Sequence, residues 1–302
     1  MSDRRPGFWR EAFALRGSAT PHVLADVAIF GVIAAAVCAL AWWIERQFGL
    51  YVGIEVAPYE IAGAALGLLL VLRTNAGYDR WWEARILWGG IVNQSRNVAI
   101  SALAYGPDDP QWRDEIVRWA AAFSHVCRCS LRDQGPGPEL TELLGPDRVA
   151  MLAETVHMPS RVAFEISRLL DEGCERFGMD RFAFRQIDAE KARLIDHLGG
   201  CERILRTPLA RVYSIKIRRF IALFLVAMPF ALIHRLEVTW MIPLITMLVA
   251  YPLISLDHIG DELQNPFSTE NLSHLPLNDI AETITHNVTG LLREETPASS
   301  RT

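Results

Sequence analysis

The feature that most constrains this chain is a long stretch without charge near its beginning. Between Asp26 and Glu45 about 18 consecutive residues carry no charged side chain, and Trp42 and Trp43 lie at the far end. About 20 apolar residues form a helix that crosses the ~30 Å hydrocarbon core of a bilayer, and tryptophan is enriched at the surfaces of that core. We therefore predict a membrane-spanning helix over residues 25–44.

Three further apolar segments predict the same environment. The second, residues 57–72, is short and rich in Ala and Gly, which suits burial among other helices. The third and fourth, residues 220–233 and 238–256, contain internal prolines, which membrane helices tolerate when neighbouring groups satisfy the freed carbonyls. We predict an all-α membrane protein with four transmembrane helices per subunit, the last two forming a hairpin with its turn at residues 234–237.

The orientation of these helices is predicted by the arginines and lysines that flank them. Basic residues cluster before the first segment, after the second and before the third, at Arg4, Arg5, Arg10, Arg16, Arg73, Arg80, Arg85, Lys216, Arg218 and Arg219. The two short connections hold only Arg46 and Arg235. Because cytoplasmic flanks carry the excess of basic residues, we predict that both termini and residues 73–219 lie in the cytoplasm.

The stretch between the second and third segments is predicted to be almost entirely helical. Clear turn signals interrupt it at residues 106–110 and 135–138, where Gly, Pro and Asp cluster. Apolar residues at helical spacing predict helices between and after these breaks, over residues 112–131, 138–144, 147–154, 159–176 and 181–205. We predict a single domain over residues 1–290, followed by a polar tail at 291–302.

Charge and motifs argue against several other classes of protein. The formal net charge is -5, so the chain lacks the basic balance of a nucleic-acid-binding protein. The 8 histidines show no H-x-x-x-H or H-E-x-x-H spacing, and the sequence has no Walker loop or dinucleotide-binding loop. We therefore predict no enzymatic activity, no metal site, no cofactor and no nucleic-acid partner.

Three strings of residues resemble the bestrophin family in the form found in bacteria. The first is RTNAGYDRWWEARILWG at residues 73–89, directly after the small-residue apolar helix. The second is GDELQNPF at 260–267, which is followed by LPL at 275–277, and the third is GCERILRTPL at 200–209. The strings lie in the expected order around the four apolar segments, and the resemblance covers roughly residues 5–290.

This resemblance implies a homopentamer around one central ion pathway, in the inner membrane of a bacterial cell. The partners that it implies are further copies of the chain, membrane lipids and the permeant inorganic ions. Members of the family pass small ions, chloride in the animal proteins, and some bacterial members are cation-selective. We therefore expect an ion channel, with a cation (sodium)-selective channel of the same fold as the alternative.

The second membrane helix lines a narrow hydrophobic neck in that family. Placing the neck directly before Arg73 gives Ala64, Leu68 and Leu72, each four positions from the next and therefore on one helix face. Five copies of this face would form three stacked apolar rings, although the small Ala64 predicts a wider upper ring. Leu69 and Ala65 are the rival positions if the helix is rotated by one residue.

A second constriction, the aperture, is expected on a later helix, before the glycines of the third string. Phe184 is our prediction for it, with Phe182 and Ile187 as rivals. The adjacent charged and tryptophan residues at the membrane interface predict a rigid junction between the neck and the helical region that follows, formed by Arg73, Arg80, Trp81, Trp82 and Glu83. An interfacial anchor for lipid headgroups is the compatible alternative for the arginines and tryptophans.

Two further expectations concern calcium and transport. Animal bestrophins carry an acidic run after the Asn-Pro-Phe string, whereas here one carboxylate, Glu270, stands among the seven residues 268–274. Calcium prefers six to eight oxygen ligands, several of them charged, so we predict that opening does not require calcium.

A secondary transporter is the less favoured alternative, because the cores of the four segments are uncharged and show no inverted repeat.

Overall fold

The structure is a computed structural model, which describes residues 7–14, 17–236 and 238–295 of the chain. These residues form α-helices and one 3-10 helix at Thr239–Met241, with no strand in the described part. The α-helices are α1 (Phe8–Ala12), α2 (Thr20–Phe48), α3 (Val56–Tyr105), α4 (Pro110–Leu131), α5 (Pro138–Leu144), α6 (Pro146–Ala153), α7 (Met158–Phe177), α8 (Arg181–Arg206), α9 (Arg211–Arg235), α10 (Ile242–Glu262) and α11 (Leu277–Glu295). The predicted all-α fold is confirmed.

Four helices of the described chain are long and apolar enough to cross a membrane: α2, α3, α9 and the helical segment Thr239–Glu262 that contains α10. The first three contain the predicted segments 25–44, 57–72 and 220–233, and the fourth contains all of the predicted segment 238–256 except Val238. The prediction of the hairpin turn at residues 234–237 was partly wrong, because α9 continues through Arg235. Pro229 does not end that helix, as expected where neighbouring groups satisfy the freed carbonyl. Glu237 lies outside the described residues.

The described part of the chain divides into two compact units, the first drawn from residues up to 81 and from 208–273, and the second from residues 82–207 and from residue 274 onward. The boundary within α3 falls between Trp81 and Trp82, inside the predicted junction. In the first unit the helices enclose a buried apolar cluster formed by Val27, Leu66, Leu70, Ile217, Ile221, Leu225, Met228 and Ala250. Tyr59 of α3 stacks on Phe224 of α9, with ring centroids 4.3 Å apart, and its hydroxyl donates to the Phe224 carbonyl.

The second unit is built around α4, which packs against α7 and α11. Asp109 begins α4 by accepting a hydrogen bond from the Trp112 backbone at 2.8 Å, and the buried Trp112 indole donates to the Leu169 carbonyl of α7. The helix α11 was not predicted: it begins at Leu277, the last residue of the LPL string, and Ala281, Ile284 and Val288 lie on its buried face. Five residues of the predicted polar tail, 291–295, belong to this helix.

Candidate ion pathway and the charge network beside it

The helix α3 presents two opposite faces where it runs through the first unit. Leu66 and Leu70 are fully buried inside the subunit. Leu68 and Leu72, on the other side, are 62% and 50% exposed, and Ala64 is exposed as well. An apolar face that its own subunit leaves uncovered is available to lipid, to another copy of the chain or to a pore.

The rival positions for the neck differ from one another in their exposure. Leu69 is half-buried, whereas Ala65 is exposed. Gly63 is where α3 and α9 approach closely, because a Cβ atom there would lie 3.0 Å from the Phe224 ring. Gly67, one turn later, has open space around it. Exposure therefore favours Leu68 over Leu69 as a side chain that faces away from its own subunit.

A network of four charges lies at the end of this apolar face. Arg73 of α3 is completely buried, and its guanidinium donates to Asp257 and, at 2.5 Å, to Asp261. Arg218 of α9 donates to the second oxygen of each aspartate, with 2.8 Å between its Nε and Asp257. We refer to these four residues as the charge network.

The charge network is closed and electrically balanced, with two arginines and two aspartates. Asp257 and Asp261 are four residues apart on α10, so their side chains lie on one face of that helix. Each of the two aspartates bridges α3 to α9. A buried guanidinium without such partners would cost several kcal/mol, so the pairing is what permits Arg73 to be enclosed at this position.

The segment of α3 after Arg73 stays in contact with α10 and the loop that follows it. A Cβ atom at Gly77 would lie 3.2 Å from the Gly260 carbonyl oxygen, so glycine permits the two helices to approach here. Arg80 donates to the Gln264 carbonyl at 3.5 Å. The Trp81 indole donates to the Ser273 carbonyl at 2.7 Å, and its ring stacks on Tyr78.

The predicted junction residues therefore have separate roles in the structure. Arg73 belongs to the charge network, while Arg80 and Trp81 contact the segment after α10. Trp82 is 49% exposed, and Glu83 forms an ion pair with Arg203 of α8 within the second unit.

The three candidates for the aperture lie in the first two turns of α8 and differ widely in burial. Phe182 is 79% exposed, Phe184 is half-buried and Ile187 is fully buried. A side chain enclosed by its own subunit cannot line a pathway between subunits. Burial therefore argues against Ile187 and leaves Phe184, the predicted residue, with Phe182 as its rival.

The loop after α10, where animal bestrophins have their acidic run, is closed by its own hydrogen bonds. The Asn265 side chain accepts from the Phe267 backbone at 3.2 Å, and Asn271 donates to the carbonyls of Glu262 and Asn265. Within residues 7–14, 17–236 and 238–295, no group of three or more His, Cys, Asp or Glu side chains is arranged to hold a metal ion.

Sequence reasoning did not find the charge network, although a signal for it was present. Arg73 directly follows the second apolar segment, Arg218 lies two residues before the third, and Asp257 and Asp261 follow the fourth. All four therefore lie at segment ends predicted on the same side of the membrane. Charges of opposite sign at one depth are candidates for pairing, and this complementarity could have predicted the contact.

Comparison with known proteins agrees with this architecture. Residues 1–290 match the family described as bacterial/fungal bestrophin protein. A voltage-dependent anion channel-forming protein of Mesorhizobium japonicum is 34% identical over 270 residues, which cover 88% of this chain and 84% of that protein. The voltage-dependent anion channel-forming protein YneE of Escherichia coli is 30% identical over 275 residues, covering 91% of this chain and 88% of that protein.

Solved structures give the same result. The crystal structure of a bacterial bestrophin homologue from Klebsiella pneumoniae superposes with a TM-score of 0.80 and 26% sequence identity, covering 90% of this chain and 98% of that chain. The resemblance predicted from the three sequence strings is thus confirmed by both kinds of comparison. The chain is a membrane protein that belongs to the bacterial bestrophin family.

Proposed function

We propose that this protein is a passive ion channel selective for anions, and that the uncovered apolar face of α3 lines its pore. The observation that carries the proposal is that Leu68 and Leu72 are exposed while Leu66 and Leu70 of the same helix are buried. Relatives of this chain are named anion channel-forming proteins, which supports the sign of the permeant ion. A cation-selective channel of the same fold is the alternative outcome.

The pore requires several copies of the chain, and we propose a homopentamer. Each copy would contribute Ala64, Leu68 and Leu72 to three stacked rings. A narrow apolar tube excludes water, so an ion crosses it only by losing hydration, and small changes in its width gate the flow. The ring of Ala64 is wider than the two leucine rings, so the main barrier lies at Leu68 and Leu72.

Phe184 of α8 is proposed as the second constriction. Its ring is half-buried, so its own subunit holds one side of the ring and the other side stays exposed. We further propose that the protein lies in the inner membrane with both termini in the cytoplasm, as the flanking arginines and lysines suggest.

We also propose that the protein is not an enzyme. Its most nucleophilic residue type is largely enclosed: burial raises the pKa of the Cys127 thiol well above its usual value and that of Cys201 to about 12. A thiol that stays protonated is a poor nucleophile.

Recording from purified protein in a planar bilayer under a potassium chloride gradient tests the channel and its selectivity together. Discrete unitary currents support a channel, whereas slow, substrate-coupled uptake without unitary events supports a transporter. A reversal potential near that of chloride supports anion selectivity, and one near that of the cation supports the alternative.

The neck is tested by replacing its two leucines one at a time. Leu68→Ala and Leu72→Ala should each raise the unitary conductance, because a wider apolar ring holds water more readily. Leu248→Ala is the matched control, since Leu248 is a 73% exposed leucine on α10. Currents that stay unchanged in both neck variants would refute the assignment of the neck to this face.

A further inference from the structure

The charge network lies directly beside the proposed neck along α3. Arg73 follows Leu72, and successive residues of an α-helix point about 100° apart. Arg73 is fully enclosed by its own subunit, whereas Leu72 is 50% exposed. The direction in which Arg73 points therefore determines the direction in which Leu72 and Leu68 point.

Two separate hydrogen-bonded ion pairs, rather than one, hold the Arg73 side chain in this direction. Its two terminal nitrogens donate to two different aspartates, Asp257 and Asp261. Arg guanidinium groups bind in a planar fork, which fixes orientation as well as distance. Arg218 occupies the remaining oxygen of each aspartate, and Gln264 donates to Asp261 at 2.9 Å. The acceptors are therefore themselves held in place.

The close approach of α3 and α10 further restricts Arg73. A Cβ atom at Gly260 would lie 3.3 Å from the Arg73 Nε and 3.4 Å from its Cγ, so the side chain passes directly over that glycine. Gly77, one turn beyond Arg73, touches the same stretch of α10. A rotation of α3 about its axis would break the fork at the aspartates and change the packing at both glycines.

We infer that Arg73 is a positioning residue for ion permeation: through Asp257 and Asp261 it fixes the rotation of α3, so that Leu68 and Leu72 rather than Leu69 face the pathway. This inference rests on the proposed function. It assigns the task of setting the neck to an electrically balanced network in which Arg73 is the fully buried member. Without Arg73, the fork that opposes rotation of α3 about its axis is lost. The helix can then turn by a fraction of the ~100° between successive residues, and the apolar rings lose their alignment.

The test measures which residues of α3 face the pathway. Leu68→Cys and Leu69→Cys are introduced singly, with Arg73 either retained or replaced in Arg73→Gln. Bilayer currents are recorded while a charged, water-soluble methanethiosulfonate reagent is applied, and the parent channel without an introduced cysteine serves as the control for its native thiols. With Arg73 present, modification should reduce current through the Leu68→Cys channel and leave the Leu69→Cys channel unchanged.

In the Arg73→Gln background this distinction should be lost, with current through both cysteine channels now falling on modification. The matched control is Arg219→Gln, which replaces the exposed arginine next to Arg218. In this background, modification should still reduce current through the Leu68→Cys channel alone. Arg73→Lys should preserve part of it, because lysine keeps the charge but cannot bind both aspartates as a fork.

The outcomes separate this inference from the proposed function. If modification in the Arg73→Gln background still reduces current only through the Leu68→Cys channel, the inference is overturned while the neck assignment stands. If, with Arg73 present, modification reduces current through the Leu69→Cys channel and not through the Leu68→Cys channel, the neck assignment itself is overturned. If Arg73→Gln does not assemble, Asp261→Asn replaces it, since Asp261 is 38% exposed and less costly to change, and it should produce a partial loss of the distinction.

Discussion

The protonation of His125 gives a quantitative prediction about the second unit. His125 of α4 is 2% exposed, its Nε2 pairs with the Thr285 hydroxyl of α11 at 2.8 Å, and its Nδ1 lies 4.0 Å from Glu139. Burial, with the positive charge of Arg128 added to it, lowers the pKa of His125 from 6.5 to about 4. The imidazole is therefore neutral in the folded protein at pH 7.

The sign of the effect on stability follows from proton linkage. Below pH 6.5 the unfolded chain protonates this histidine while the folded chain does not, so acid favours the unfolded state until the folded pKa is reached. Between pH 7 and 5 the difference amounts to about 2 kcal/mol, and it approaches about 3 kcal/mol at pH 4. Burial acts to raise the pKa of Glu139, but a hydrogen bond from its own backbone N–H and the ion pair with Arg128 keep that pKa below its usual value. This carboxylate therefore loses its contribution only at lower pH.

The measurement is the thermal unfolding midpoint of the purified protein at pH 7 and pH 5, followed by tryptophan fluorescence. A loss of about 2 kcal/mol corresponds to a fall of roughly 3 °C in a chain of 302 residues, because the unfolding entropy is about 2.1 cal/mol/K per residue. The variant His125→Gln places a neutral amide that can still reach Thr285, and it should lose most of this pH dependence. His286→Gln removes an exposed histidine from α11 and should leave it unchanged. Equal pH dependence in the parent protein and His125→Gln would refute the reasoning.

Three further predictions concern the first unit and the pathway. Ala64→Leu should lower the unitary conductance in bilayer recordings, because it narrows the widest ring of the proposed neck; an unchanged conductance would place Ala64 outside the pathway. Gly77→Val should lower the unfolding midpoint or prevent folding, because its Cβ would lie 3.1 Å from Leu263, whereas Gly67→Ala, at a position with open space, should be tolerated. Removing calcium with a chelator should leave channel opening unchanged, since Glu270 is the one carboxylate at 268–274; loss of current that calcium restores would contradict this.

The part of the fold that was predicted correctly depends on local signals. An uncharged stretch such as 27–44 has few alternatives to a membrane helix, because a chain inside lipid has to satisfy its own backbone hydrogen bonds. Proline and glycine clusters at 106–110 and 135–138 marked the ends of helices for the same local reason. The prediction of α5, residues 138–144, agrees with the structure at both ends.

The parts that were missed depend on contacts between distant residues. Arg73 and Asp257 are 184 residues apart in the chain, so neither sequence spacing nor periodicity brings them together. The helix α11 was missed although Ile280, Ile284 and Val288 already stand at helical spacing. What required the structure is the finding that this helix packs against α4. The exposure of Leu68 and Leu72 also could not be read from the sequence, since Leu66 and Leu70 are the same residue type on the same helix.

The charge network also limits where ion selectivity can originate. A single arginine beside the neck would attract anions, but Arg73 is enclosed and is paired with aspartates that Arg218 shares. With two charges of each sign in contact, the field of the network falls off rapidly with distance. Apolar rings penalise anions and cations alike through lost hydration. If the channel prefers anions, charges that remain exposed along the pathway outside the neck have to provide that preference, so neck variants should alter conductance more than the reversal potential.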